Sequence, residues 1–151
     1  MRTFLTLAIL STATMASSLG NAADVEPTRH PYQSFQSQTC GTGVQCTVSF
    51  PAITTGRTLL KRVACDYFFQ ASSGAVYTTF LTVLDLSLPQ PTIAFSDLQS
   101  FPYAVDFNGT TRFGINSDIY LFADKGQTIQ LSINTSASLD SITCTLTGYY
   151  L

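Results

Sequence analysis

The clearest hydrophobic pattern in the chain lies between Ile119 and Ile133. In its first half Ile119 and Leu121 alternate with Tyr120 and Phe122. In its second half apolar and polar residues alternate, as in a strand with one buried and one wet face. The apolar residues that share one face of the second half are Ile129, Leu131 and Ile133. Gly126 ends the short connection between the halves, where a turn commonly needs a positive φ. The pattern predicts a β-hairpin.

Similar short runs recur along the rest of the chain. They predict further strands that begin at Cys46, between Thr58 and Cys65, between Val76 and Leu88, on both sides of Asn108-Gly109, and from Ile142 to Leu146. Asn108-Gly109 is the strongest two-residue hairpin signal, because both residue types accept positive φ. About eight to ten short strands with no long helix predict an all-β fold. We expect a single antiparallel β-sandwich of the jelly-roll or Greek-key type, fastened by disulfides.

The strand between Thr58 and Cys65 contains one break in its pattern. Leu59, Val63 and Cys65 form its apolar face, and Lys61 falls on the same face. Either Lys61 lies near an edge and reaches water along its aliphatic stem, or a β-bulge resets the register at this position.

The amino-terminal part of the chain differs from the rest. Met1-Arg2, the apolar run Phe4 to Leu10 and the small residues Gly20-Asn21-Ala22 have the form of a cleaved signal peptide, predicted over 1–22. Residues 23–39 lack a periodic apolar pattern and are predicted to form an extended arm, and residues 40–151 the sandwich domain. The short, Ala- and Ser-rich leader favours a bacterial source. We expect a secreted or periplasmic protein without a membrane span, since no other segment has the roughly 20 apolar residues of a spanning helix.

The charge balance argues against a nucleic-acid partner. The 151-residue chain has a formal net charge of -2 and a pI near 5.0, whereas phosphate binding requires a basic stripe. Only 11% of its residues are charged, so uncharged polar side chains must cover the surface. Arg57, Lys61 and Arg62 are the only basic residues close together in sequence, and solvated strand positions would explain them.

The four cysteines of the exported chain predict two disulfides. Cys40 and Cys46 flank a small Gly-containing loop, and Cys65 and Cys144 share the apolar faces of their strands. We therefore expect Cys40 to pair with Cys46 and Cys65 with Cys144. A metal site is disfavoured, because there is no Cys-x2-Cys pair and the only histidine, His30, precedes the first cysteine.

The sequence shows no convincing catalytic set and implies no cofactor. It has no Gly-x-Ser-x-Gly elbow, no His-Glu-x-x-His and no phosphate-binding glycine loop. His30 and the sole glutamate, Glu26, both lie in the predicted arm, where a productive geometry is hard to hold. Four of the eight aspartates fall in predicted turns, where Asp commonly bonds to the backbone: Asp97, Asp118, Asp124 and Asp140. We therefore expect a protein that is not an enzyme.

Two weaker signals concern the turns. Asp106, Asn108 and Asp118 flank neighbouring turns and could converge on calcium, although ordinary turn chemistry explains them more simply. Asn108-Gly-Thr110 and Asn134-Thr-Ser136 match the glycosylation acceptor pattern, which matters only in a eukaryotic secretory pathway.

Three functions remain compatible with these features. The first is a secreted, non-catalytic binding domain for an unidentified protein or glycan; exposed tyrosines would have to stack on sugar rings, because the chain has no Trp. The second is a structural or assembly subunit of an envelope or surface structure, forming a homo-oligomer through the arm or an open edge strand. The third, which we disfavour, is a small secreted hydrolase or an inhibitor with a protruding loop.

Overall fold

The structure is a computed structural model that describes residues 29–69, 74–105 and 111–151. The predicted signal peptide 1–22 lies outside these residues, as does the Asn108-Gly109 turn. No helix in the described ranges is long and apolar enough to cross a membrane.

The described part of the chain forms nine strands. They are β1 (Pro31–Thr39), β2 (Gln45–Phe50), β3 (Arg57–Phe69), β4 (Val76–Leu84), β5 (Thr92–Asp97), β6 (Ser100–Val105), β7 (Thr111–Asp124), β8 (Thr128–Thr135) and β9 (Leu139–Tyr150). One sheet has five strands in the order β1-β9-β3-β7-β6, and the other has four in the order β2-β8-β4-β5. All pairs are antiparallel, and the inner faces of the two sheets enclose one apolar core. The predicted all-β sandwich is confirmed.

Four strand pairs define the topology. β1 pairs with β9, β2 with β8, β3 with β7 and β4 with β5. The first four strands thus pair in reverse order with later ones, like one long antiparallel ribbon. Successive pairs of the ribbon belong alternately to the two sheets, which gives a jelly roll, with β6 added at one edge of the five-stranded sheet.

The predicted hairpin between Ile119 and Ile133 is wrong. Its two halves belong to β7 and β8, which lie in different sheets, so the connection crosses the end of the sandwich. Gly126 has the expected positive φ, 88°, and donates a hydrogen bond to the carbonyl of Ile53. Most of the residues predicted to face inward are nevertheless buried. Strands that face each other across a core show the same alternation as strands that lie side by side, so the wrong pairing did not affect the prediction of burial.

The irregular position in β3 is a β-bulge. The register with both neighbouring strands shifts between Leu60 and Arg62. Lys61 is the extra residue relative to β9, whereas relative to β7 the extra residue lies in β7. The prediction of which β3 residues face the core is correct after the bulge, where Val63 is buried, and wrong before the bulge. Leu60 is the buried residue there, and Leu59 faces outward, because the bulge reverses the alternation.

The second half of the predicted arm belongs to the sandwich. Pro31–Thr39 forms the edge strand β1, which pairs with β9 along its whole length, so the sandwich begins before residue 40. Tyr32 is buried and its ring contacts that of Tyr150 edge to face, with centroids 5.5 Å apart. Phe35 faces away from the core and is 61% exposed.

The disulfides have the expected pairing and join different parts of the fold. Cys40–Cys46 links the end of β1 to β2, and therefore one sheet to the other. Cys65–Cys144 joins residues that lie directly opposite each other in β3 and β9, with Cα atoms 4.1 Å apart. All four cysteines are buried, and the part of the chain described here has no free cysteine.

Candidate functional site

The outer face of the five-stranded sheet has three exposed aromatic rings at one end. We call Tyr120, Phe122 and Tyr149 the aromatic patch. Tyr149 and Phe122 lie in one row across β9, β3 and β7, because both are register partners of Leu59. Tyr120 projects from β7 on the same face and is the most exposed of the three, at 70%. Strands far apart in sequence therefore combine to form the patch.

The bulge in β3 places a cation in this patch. The ammonium of Lys61 lies 3.9 Å from the centroid of the Tyr120 ring. Gly148 in β9 permits the bulge, since a Cβ atom at this position would overlap the carbonyl oxygen of Leu59. A β-bulge was one of the two explanations for the irregular position of Lys61 in the sequence. In the structure, the bulge brings this charged side chain to the outer face.

Two arginines flank the aromatic patch. The guanidinium of Arg57 lies 4.6 Å from the Phe122 ring centroid, and its Nε is 3.6 Å from Asp124. Arg62 donates a hydrogen bond from Nε to Oδ1 of Asn116, 2.9 Å away. Lys61 differs from Arg57, because no carboxylate of the described residues lies within ion-pair distance of its ammonium. The basic group noted in the sequence is therefore a local cationic surface on an acidic protein.

A shallow depression adjoins the aromatic patch between β1, β9 and the bulge. Its volume is about 210 Å³, and it is lined by Pro31, Tyr32, Gln33, Lys61, Thr147, Gly148 and Tyr149. Most of the lining is apolar, and Gln33, Lys61 and Thr147 supply polar side chains. Pockets for drug-sized ligands usually hold roughly 300 Å³ or more. A single ring-sized group therefore fits this depression better than a large ligand.

The opposite end of the same face has a closed polar cluster. Tyr103 donates a hydrogen bond to one carboxylate oxygen of Asp66 at 2.6 Å, and Arg112 binds the other at 3.3 Å. The hydrogen bond to Asp66 raises the pKa of Tyr103. Because both oxygens of Asp66 have protein partners, this cluster ties β6 and β7 to β3 and offers no free carboxylate.

A second polar hollow of about 290 Å³ lies beside the start of β4, with Thr79 and Ser100 in its wall. Their hydroxyl groups hydrogen-bond to each other at 3.0 Å. Behind them lies Tyr67, which is 1% exposed and whose own hydroxyl has no hydrogen-bond partner in good geometry among the described residues. Burial raises the pKa of Tyr67 to about 12, and the nearby Ser100 and Thr79 lower it by a smaller amount. We assign no catalytic role to this buried phenol.

The candidate residues from sequence that the structure describes do not meet at one place. Asp118 lies in β7 opposite Arg62, whereas its two predicted calcium partners, Asp106 and Asn108, lie outside the described residues. Asn134 lies within β8 and donates a hydrogen bond to Thr78 at 2.8 Å. No group of three or more potential metal ligands occurs in the ranges that the structure describes.

The other aspartates and the histidine considered in the sequence are also dispersed. Asp97 ends β5, Asp124 ends β7, where it binds Arg57, and Asp140 lies in β9, while His30 is exposed ahead of β1. Sequence reasoning missed the aromatic patch, although the alternation of Tyr120 and Phe122 with Ile119 and Leu121 was a signal for part of it.

Comparison with protein-family models, with curated proteins and with solved structures finds no match for this chain. The fold and the surface therefore define it as a disulfide-fastened jelly-roll sandwich with an aromatic and cationic outer face.

Proposed function

We propose that this protein is a secreted, non-catalytic binding domain whose ligand lies on the outer face of the five-stranded sheet. The observation that carries the proposal is the aromatic patch, where Tyr120, Phe122 and Tyr149 are 70%, 44% and 38% exposed on one surface. Large rings in water are unfavourable unless a partner covers them, and aromatic residues are enriched in binding surfaces. The adjoining depression adds hydrogen-bonding groups that would orient a ligand.

The jelly roll supports this proposal by making the face rigid. The patch lies on β9, β3 and β7 and not on loops. At the patch β9 and β3 are paired on both sides, and β7 is paired with β3. Such a face binds without rearrangement, so little conformational entropy is lost on binding.

The test is a binding screen of the exported protein by NMR chemical-shift perturbation, with panels of oligosaccharides and short peptides. We expect a ligand from one of these panels to shift resonances around the aromatic patch. Tyr120→Ala should lower the affinity for that ligand by at least about tenfold. The matched control is Tyr77→Ala, because Tyr77 is 68% exposed in β4, a strand of the other sheet. Equal effects of the two variants, or shifts confined to another surface, would contradict the proposal.

Export is part of the same proposal. The signal-peptide pattern over 1–22 and the two buried disulfides support it, since disulfides persist in oxidising compartments. Mass spectrometry of the protein from an exporting host should show a chain that begins at Ala23 with all four cysteines oxidised. A protein that stays in the cytoplasm with its leader intact would contradict export.

The second candidate is an assembly subunit, and a specific edge strand favours it. β5 is an edge of the four-stranded sheet, has no Lys, Arg or Pro, and exposes Ile93 and Phe95, at 42% and 63%. Edge strands usually carry charges or prolines that prevent pairing with another chain, whereas the only charged residue of β5 is Asp97 at its end. β1, from the predicted arm, is an edge of the other sheet, and Phe35 gives it an exposed ring.

Light scattering coupled to size-exclusion chromatography distinguishes these edges. In the assembly hypothesis, the wild-type protein is an oligomer. Phe95→Lys dissociates it if β5 is the contact, and Phe35→Lys dissociates it if β1 is. The two phenylalanines are a matched pair, since their exposures are nearly equal, 63% against 61%. A monomer at all concentrations would leave the binding domain as the function.

A further inference from the structure

We infer that the ligand of this face is an acidic saccharide, whose carboxylate binds Lys61 while its ring lies in the depression against Tyr149. This inference rests on the proposed function, because it names the chemistry of the ligand at the same site. Its first support is the position of Lys61, which lines the depression and also contacts the aromatic patch.

Lys61 is an unusual lysine for such a surface. It is half-buried, and its ammonium is held over the Tyr120 ring and not over a carboxylate. The contact with the ring orients the ammonium, whereas a carboxylate of the protein would compete with an anionic ligand. A single anionic group that approaches the depression would therefore find an oriented cation with no ion-pair partner among the described residues.

The rest of the lining has the chemistry of a sugar ring. The depression is mainly apolar and holds about 210 Å³, and the Tyr149 ring forms part of its wall. The C–H groups of a pyranose pack on an aromatic face, and its hydroxyl groups need neutral donors and acceptors at the rim. Gln33 and Thr147, which are register partners in β1 and β9, supply such groups on the outer face.

The surrounding charges favour an acidic sugar over a neutral one. Arg57 and Arg62 lie on the same face as Lys61, and each is the register partner of an acid in β7, Asp124 and Asp118 respectively. Lys61 has no such acidic partner among the residues that the structure describes. The whole chain has a net charge of -2, so long-range attraction does not bring anions to this protein. Binding of an acidic chain would depend on this local group, with further carboxylates of the same polymer reaching the arginines.

The experiment is isothermal titration calorimetry with three probes of matched length. The first is tetragalacturonate, the second is the same oligosaccharide with its carboxylates methyl-esterified, and the third is a peptide of four aspartates. We expect tetragalacturonate to bind, with an affinity that falls as salt increases, and the ester and the peptide to bind at least about tenfold more weakly.

Two variants then locate the interaction. Lys61→Met keeps the aliphatic stem and removes the charge, and we expect it to lose about tenfold or more in affinity for tetragalacturonate. Arg112→Gln makes the same charge change at the opposite end of the face and should leave the affinity unchanged. Circular dichroism checks that both variants are folded.

Each other outcome is decisive. Equal binding of the acid and the ester, without an effect of Lys61→Met, overturns the acidic saccharide and leaves the proposed binding face intact. Binding of the aspartate peptide alone, lost with Lys61→Met, overturns the saccharide and assigns the face to an acidic protein. If no probe binds, the acidic saccharide is again overturned. If, in addition, no ligand of the screening panels shifts the aromatic patch, the proposed function falls with it.

Discussion

Removal of the Cys65–Cys144 bridge should destabilise the protein far more than removal of Cys40–Cys46. In the chain-entropy treatment a disulfide acts on the unfolded state, and its effect grows with the number of residues in the closed loop. The two bridges have sequence separations of 79 and 6 residues. These lengths give about 4.5 kcal/mol for the long loop and about 2 kcal/mol for the short one at 25 °C.

The two sites are well matched for this comparison. Each double substitution to Ala removes two sulfur atoms from buried positions, since the exposures are 7% and 0% for Cys65 and Cys144 and 9% and 4% for Cys40 and Cys46. The losses of packing energy should therefore be similar in the two double variants. The difference of about 2.5 kcal/mol between their free energies of unfolding should then reflect the different lengths of the closed loops. In the folded state, β3 and β9 already hold Cys65 and Cys144 opposite each other, so the fold should persist without the bond.

Urea unfolding followed by far-ultraviolet circular dichroism measures both variants. We expect Cys65→Ala/Cys144→Ala to have the lower midpoint and the steeper dependence on urea, because an unfolded chain without the long loop exposes more surface. The reasoning is refuted if Cys40→Ala/Cys46→Ala is destabilised equally or more. That result would mean that the link between the two sheets contributes to the folded state beyond its loop entropy.

Three other substitutions test single features of the fold. Gly148→Ala should destabilise by about 3 kcal/mol, because its Cβ would displace the backbone of Leu59. Gly43→Ala should change thermal stability little, because its Cβ would make only ordinary van der Waals contact with the backbone of Gln45. Tyr67→Phe removes a buried phenol whose pKa is raised from 10.0 to about 12. The stability linked to this group is complete below about pH 10 and is lost as the pH rises toward 12, by about 2–3 kcal/mol. Tyr67→Phe should remove that part of the alkaline destabilisation in denaturant titrations at several pH values, and an unchanged pH profile would contradict it. Thr58→Val should stabilise by about 1 kcal/mol in the same assay, since the buried Thr58 hydroxyl has no hydrogen-bond partner in the described structure; a loss of stability would show that this hydroxyl is satisfied.

The local pattern predicted burial well wherever a strand is regular. In β8 the inward residues Ile129, Leu131 and Ile133 are fully buried, and in β9 Cys144 and Leu146 are as well. Period-two alternation reports the side of a sheet directly, because successive side chains point to opposite faces. The same reasoning, together with the short spacing of Cys40 and Cys46, was sufficient for the disulfides.

Pairing between strands was harder to predict, because alternation contains no information about neighbours. The run from Ile119 to Ile133 has the same pattern whether its halves form a hairpin or face each other from two sheets. The turn chemistry of Gly126 does not distinguish these arrangements either. The hydrogen bonds that fix the path of the chain here are made with Ile53, which lies far earlier in the sequence, and no local rule could identify that partner.

The candidate site depends both on the facing of side chains, which alternation predicts, and on the pairing of strands, which alternation does not predict. Alternation separates Tyr120 and Phe122 from Ile119 and Leu121, but Tyr149 joins them only because β3 lies between β7 and β9. Lys61 broke the pattern of its strand, and a bulge was one of the two explanations. Its contact with Tyr120 depends on the register of β7, which cannot be read from the residues of β3.

The bulge has a structural requirement and a functional consequence that can be separated. Gly148 permits the close approach of β3 and β9, and this geometry directs the outer side chain of Lys61 toward the aromatic patch. A bulge that served only to twist the sheet would need the glycine but would accept any polar residue at position 61. A bulge that serves binding needs both residues. Retained stability with lost affinity in Lys61→Met, beside lost stability in Gly148→Ala, would therefore show that the irregularity positions a binding residue and does not only shape the strand.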